Sequence, residues 1–175
     1  KPWNGKVWHW PWRIYFSGNV YNNMSIKLEA SPGGQKTGKY LEFGGYGYYG
    51  HTVKFSSSGD WFTLSFPYTT ANYSGAESSD GHPIKQGVNV KLKVGSNVYA
   101  IHSSCWGERG GCYTWWRNKD VGYWLKWITE IKIHLKSTYY GQYLNSDISE
   151  GGSMSFFTVN DSRFNTNYWI IEMDG

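Results

Sequence analysis

At 175 residues the chain has the length of one domain, or of a domain with an appended arm, and enough residues to bury a real core. Charged residues make up 17% and aromatics 19%, with 11 Trp, 15 Tyr and 8 Phe, a composition that excludes intrinsic disorder. Net charge is +4, and apolar runs such as Tyr168–Ile171 fall far short of the roughly 18 residues that a membrane-spanning helix needs.

Residues 1–22 read as an arm carrying Trp3, Trp8, Trp10 and Trp12, with Val7–Trp10 and Arg13–Phe16 as short strands broken by Pro11. No initiator Met and no apolar leader precede Lys1, which suits a mature chain from which a targeting peptide was removed. From residue 23 onward helical periodicity is nearly absent, and 22 Gly punctuate short alternating runs rich in Val, Ile, Thr, Tyr and Trp. That pattern predicts an all-β domain over residues 23–175.

Four anchors recur in order three times. The first is Ser25–Glu29, Asn89–Lys93 and Glu130–His134, each an apolar pair flanking a lysine. The second places Tyr40, Tyr99 and Tyr143 at the start of a strand. The third is His51–Val53, Tyr113–Trp115 and Phe157–Val159, and the fourth is a strand led by Trp61, Trp124 and Trp169. Those three tryptophans are expected at equivalent core positions. Residues 67–87 form a polar connection between the first two units, longer than a structural loop needs to be.

Cys105 and Cys112 enclose Trp106-Gly-Glu108-Arg109-Gly-Gly, too wide for a redox Cys-x-x-Cys and without His or Cys partners for zinc. A disulfide pinning the tip of the second hairpin is expected, stabilising the fold by about 2.5 kcal/mol and implying an oxidising compartment, hence secretion. The sequons at Asn23, Asn72 and Asn160 are no more than an Asn- and Ser-rich chain produces by chance. Basic residues concentrate in 85–136 and acidic ones in 137–175, yet the lysines alternate with apolar residues, as Lys91-Leu92-Lys93 does, in the manner of any half-exposed strand.

Twelve strands in three four-strand units close most compactly as a six-stranded barrel capped by three hairpins, which removes exposed edges. The run of strand, short turn, Gly-Lys-Tyr-Leu, Gly-rich hairpin and terminal Trp strand over about residues 23–173 resembles the β-trefoil repeats of the ricin-B, fascin-like and MIR-type families. The resemblance implies a β-trefoil with threefold internal repeat following the N-terminal arm. The ricin-type Gln-x-Trp signature is missing from all three units, so the carbohydrate-binding residues of that family do not carry over.

No enzymatic activity and no cofactor are expected. The five histidines, at 9, 51, 82, 102 and 134, form no His-x-His or His-Glu-x-x-His pattern, and no Gly-x-Ser-x-Gly elbow appears. Aromatic supply is the informative feature instead. After a trefoil core is filled, rings remain over in the first hairpin (Tyr46, Tyr48, Tyr49) and in the second (Trp106, Tyr113, Trp115, Trp116), whereas the third, Asp147–Ser153, has none. Rigid rings with a polar edge stack on sugars or enter a lipid interface. The expected ligand site is therefore the second hairpin, with Trp106, Tyr113, Trp115 and Trp116 as stacking surface and Glu108, Arg109, Asn118 and Asp120 as hydrogen-bonding groups. Trp115 and Trp116 point to opposite faces of one strand, so at most one of them belongs to the core.

The leading expectation is a secreted, lectin-like module that binds a glycan or glycoconjugate. One alternative is a membrane-active toxin or its lipid- or receptor-binding part, which the Trp-rich arm and basic middle segment favour. The other is a protease inhibitor offering Arg109, which the flexible Gly110 and Gly111 weaken. No nucleic-acid partner is expected.

Overall fold

The computed structural model describes residues 22–67, 69, 84–106, 111–129, 131–147, 157–158 and 168–173. Among them Cys105, Trp106, Gly111, Cys112, Phe157 and Thr158 are described by backbone alone. The N-terminal arm and most of the 67–87 connection lie outside these residues. The chain is all-β and antiparallel. Its strands are β1 (Ser25–Ala30), β2 (Tyr40–Tyr46), β3 (His51–Ser56), β4 (Phe62–Ser65), β5 (Asn89–Val94), β6 (Asn97–Trp106), β7 (Gly111–Asn118), β8 (Tyr123–Trp127), β9 (Lys132–Ser137), β10 (Tyr143–Leu144), β11 (Phe157–Thr158) and β12 (Trp169–Met173). A short 3-10 turn, Pro32–Gly34, follows β1.

Six strands pair in a closed ring, β1–β4–β5–β8–β9–β12 and back to β1. The pairs β2–β3, β6–β7 and β10–β11 extend from β1, β5 and β9 as hairpins. Ring strands β4, β5 and β8 follow the period of two that buries one face, whereas β1, β9 and β12 also bury Glu29, His134 and Ile170 from their other face. In β8, Tyr123, Leu125 and Trp127 are buried while Trp124 and Lys126 are exposed, and in β4 Phe62 and Leu64 alternate with half-buried Thr63 and Ser65.

The register corrects the expected anchors. Ile26 faces Phe62, Val90 faces Tyr123 and Ile133 faces Trp169, and all six are essentially fully buried. Between neighbouring units Leu28 faces Ile171, Leu64 faces Leu92 and Leu125 faces Leu135. The third unit therefore begins two residues later than its sequence pattern indicates, at Lys132. The buried aromatic of the fourth strand is Phe62, Tyr123 or Trp169, so Trp61, Trp124 and Trp169 do not occupy equivalent positions. Trp61 and Trp124 are 43% and 40% exposed. In β8, adjacent residues point to opposite faces, so a shift of one residue exchanges core for surface.

The buried tryptophans satisfy their indole N–H groups on backbone carbonyls: Trp116 donates to Glu42 O at 3.1 Å, Trp127 to Ile84 O at 3.2 Å and Trp169 to Leu144 O at 3.1 Å. A buried donor left unpaired would cost about 1–3 kcal/mol. Around them Ile26, Leu28, Leu41, Val53, Leu64, Val90, Leu92, Leu125 and Ile133 form one continuous core.

Candidate functional site

The first two hairpins are joined edge to edge. In the β3–β7 pairing His51 faces Trp116 and Thr52 faces Trp115. The turn of the first hairpin, Gly47-Tyr48-Tyr49-Gly50, is closed by Gly47 N–H donating to Gly50 O at 2.7 Å. Gly50 sits at φ 154°, where a Cβ would lie 2.5 Å from Trp116 O and 2.8 Å from Trp115 Cδ1. Only glycine lets this turn dock so closely on β7.

This docking sets the Tyr48–Tyr49 turn against the outer face of β7. Tyr49 lies 5.1 Å from Tyr113 and 5.4 Å from Trp115 between ring centroids, and Tyr48 meets Tyr49 edge-on at 4.9 Å. Tyr48 is 93% exposed and Tyr113 51%. Beyond Trp115 the row continues through His102 of β6, at 6.3 Å, to Tyr139 and Tyr140, at 5.1 and 5.6 Å from the imidazole. These two tyrosines come from the turn between β9 and β10, whose amides at Tyr139 and Tyr140 donate to Ser137 Oγ. Lys119 Nζ closes the row 4.4 Å above the Tyr139 ring, and exposed Arg117 has the strand parity of Trp115.

His102 is buried beneath these rings. The Tyr140 hydroxyl donates to Ser103 O at 3.0 Å and accepts from Ser103 N–H at 3.1 Å. With that proton so placed, the 3.3 Å contact to His102 Nδ1 has the imidazole as donor. Nε2 is then a bare acceptor, and it is buried without a hydrogen-bond partner. Desolvation first, then the charges of Arg117 and Lys119, lower the His102 pKa to about 4.

The residues singled out in the sequence divide. Tyr113 and Trp115 are part of the row. Trp116 is not available to a ligand: it is fully buried, packs against Phe62 at 5.0 Å and Phe43 at 6.0 Å, and belongs to the core. Asn118 is exposed but has the strand parity of Trp116, and Asp120 lies past the end of β7, paired with Lys91 at 2.6 Å. Neither joins the ring face. Glu108 and Arg109 lie outside the described residues, and Trp106 is described by its backbone. Cys105 and Cys112 are cross-strand partners in register, and like Trp106 they are described by backbone alone.

The sequence reading missed Tyr139, Tyr140, His102 and Lys119. One signal was present: Tyr-Tyr-Gly occurs twice, at 48–50 and 139–141, and the fold brings both copies to the same row, one at each end.

No family model and no curated protein matches the chain. Among solved structures it is similar to the SDF2-like protein from Arabidopsis thaliana, at 13% identity and a TM-score of 0.55, over 89% of this chain and 95% of that one. At this identity the likeness concerns the fold: an all-β chain with an MIR-type structural neighbour.

Proposed function

We propose that the chain is a β-trefoil recognition module of lectin type that binds a glycan on the aromatic row of its first two hairpins. The closed six-strand ring with three attached hairpins supports the trefoil reading, and the three sets of equivalent pairings support its internal repeat. The observation that carries the function is the row itself: Tyr48, Tyr49, Tyr113, Trp115 and Tyr139 stand on one face with Arg117 and Lys119 at its end. Ring faces stack on the C–H face of a pyranose, phenolic hydroxyls exchange hydrogen bonds with sugar hydroxyls, and no catalytic group is needed.

A shallow single site of this kind binds on the order of millimolar, about −4 kcal/mol, and gains through multivalency. Screening on a glycan array followed by calorimetry tests it. Binding that is lost in Trp115→Ala and Tyr49→Ala, at unchanged salt dependence, is the expected result. Absence of any glycan hit, together with liposome binding that those variants abolish, would instead make the row a membrane-inserting surface, as in a toxin. Among the described residues no helix is long and apolar enough to cross a bilayer.

The cysteines are read as a disulfide and the chain as secreted. Ile101 and Ser103 donate their amides away from β7, to the hydroxyls of Tyr123 at 2.9 Å and Tyr140 at 3.1 Å. Their pairs with Trp116 and Thr114 are thus non-hydrogen-bonded, and by alternation so is Cys105 with Cys112. Such pairs hold Cα atoms about 4.5 Å apart, within the roughly 4.4–6.8 Å a disulfide spans.

A further inference from the structure

The sequence pattern places Trp124 in the core, and the fold leaves it 40% exposed on the outer face of β8. The position that follows the buried aromatic holds Thr63 in the first unit and Ile170 in the third. Barrel packing is therefore satisfied at this position without an indole. Trp124 stands in a cross-strand row, with Asn89 on one side and Lys136 on the other.

Depressions of about 400 Å³ and about 330 Å³ flank the ring and share Trp124, Gln86 and Gly87 as walls, within the range of small-molecule sites. Gly87 leaves its part of the wall bare, since no atom beyond its chain neighbours lies within 4 Å of where a Cβ would stand. The wall is also held firmly. Gln86 Nε2 donates to Trp127 O at 2.9 Å and its Oε1 accepts from Trp127 N at 2.8 Å, while Gly87 N donates to Leu125 O at 2.8 Å and Leu125 N to Val88 O at 3.1 Å. A cleft built before the ligand arrives spares it the ordering cost.

Two polar side chains border the indole with their hydrogen-bonding capacity intact. Neither exposed Asn89 nor Lys136 holds a hydrogen bond or ion pair through its side chain among the described residues. Lys136 Nζ lies 6.0 Å from the Trp124 ring and 5.7 Å from Tyr143. Lys85 and Lys126 also border the depressions, and each already holds an interaction of its own. A flat apolar face with one amide and one ammonium at its edges matches a pyranose. The C–H face of the sugar lies on the indole, and its hydroxyls, which both donate and accept, use the Asn89 amide and the Lys136 ammonium. A purely apolar ring would use the indole and leave both polar groups facing carbon.

We infer that the Trp124 cleft is a second carbohydrate site, which takes the terminal residue of a neutral glycan as a single hexopyranose on the indole, hydrogen-bonded by Asn89 and Lys136. The aromatic row sets rings side by side and suits an extended run of sugars, whereas depressions on both sides of one indole receive one ring with its substituents. The site shares no residue with the row, so each can fail without the other, and one chain engages two branches of a glycan.

Titration of the intact, nitrogen-labelled protein with the methyl pyranosides of glucose, galactose and mannose, followed through the indole N–H resonances, tests the inference, because Trp115 and Trp124 report on the two sites separately. Trp124→Phe assigns the second resonance. The expected result is a saturable shift of the Trp124 indole with at least one glycoside, with a Kd on the order of millimolar that added salt leaves unchanged. The Asn89→Ala/Lys136→Met double variant should weaken this binding by roughly fivefold or more, and Trp115→Ala should leave it as it is. A Trp124 indole that none of the three glycosides moves, an affinity that falls steeply with salt, or undiminished binding in the double variant would overturn the inference. Shifts at Trp115 alone would overturn the cleft and leave the row standing; shifts at Trp124 alone would support the cleft and count against the row. Both substitutions lie at the edge of the cleft rather than in the core, so the double variant keeps the test decisive if replacing Trp124 disturbs folding.

Discussion

The aromatic row and the Trp124 cleft use the same residue types in opposite shapes. In the row, rings from three separate turns and strands lean on one another, and the cations stand at its end, over Tyr139 and beside Trp115. In the cleft one indole stands alone between two depressions and the lysines surround it. Rings that satisfy each other offer a broad, weakly charged platform suited to neutral sugar faces. The difference arises from which neighbours each strand's outer face is given, since β7 meets a hairpin turn and β8 meets the pinned segment 86–88.

The largest expected effect separates Trp115 from its neighbour. Trp116→Ala should destabilise the fold by about 3–5 kcal/mol, because it empties a core site filled by a fully buried indole, whereas Trp115→Ala should lose glycan binding with far less change in denaturant midpoint. Equal destabilisation by both would make the row structural.

Next in size, Cys105→Ser/Cys112→Ser should cost about 2.5 kcal/mol if the hairpin tip is crosslinked. Intact-mass measurement of alkylated native protein should find no free thiol.

The row should also carry a pH signature. His102 is held neutral with its pKa lowered to about 4, whereas the unfolded chain protonates near 6.5. Between those values the unfolded state binds more protons, so stability is full above about pH 6.5 and falls as pH drops toward 4. Arg117 and Lys119 sharpen this, and the neighbouring Tyr139 and Tyr140 rings keep the imidazole desolvated. Thermal melts should show Tm dropping by several degrees over that window, and His102→Phe should remove that part of the slope.

Gly50→Ala should cost about 1–3 kcal/mol, from backbone strain and the collision with Trp116 O, and it should weaken glycan binding on the row by displacing Tyr49. Lys119→Ala is the smallest change. A cation–π contact at the surface contributes about 0.5–1 kcal/mol, so glycan affinity should move a few-fold at most and the melting temperature hardly at all.

The alternation of Val, Ile, Tyr and Thr, the density of Gly and the three recurring strand pairs were enough to specify an all-β antiparallel chain with a hairpin in each unit, because period-two burial is written locally. So was the rule that Trp115 and Trp116 must point apart. Which of the two faces inward was decided by the docking of β3 on β7, which puts Trp116 over Phe62 and Phe43 and leaves Trp115 beside Tyr49. The same holds for Trp61 and Trp124. A tryptophan beginning a strand looks like core, but register rather than residue type selects the buried face, and register is fixed by the partner strand. Tyr49, Trp115 and Tyr139, separated widely along the chain, become one surface only when the hairpins and the β9–β10 turn converge, a juxtaposition that contacts between distant residues create and that no local pattern of the sequence encodes.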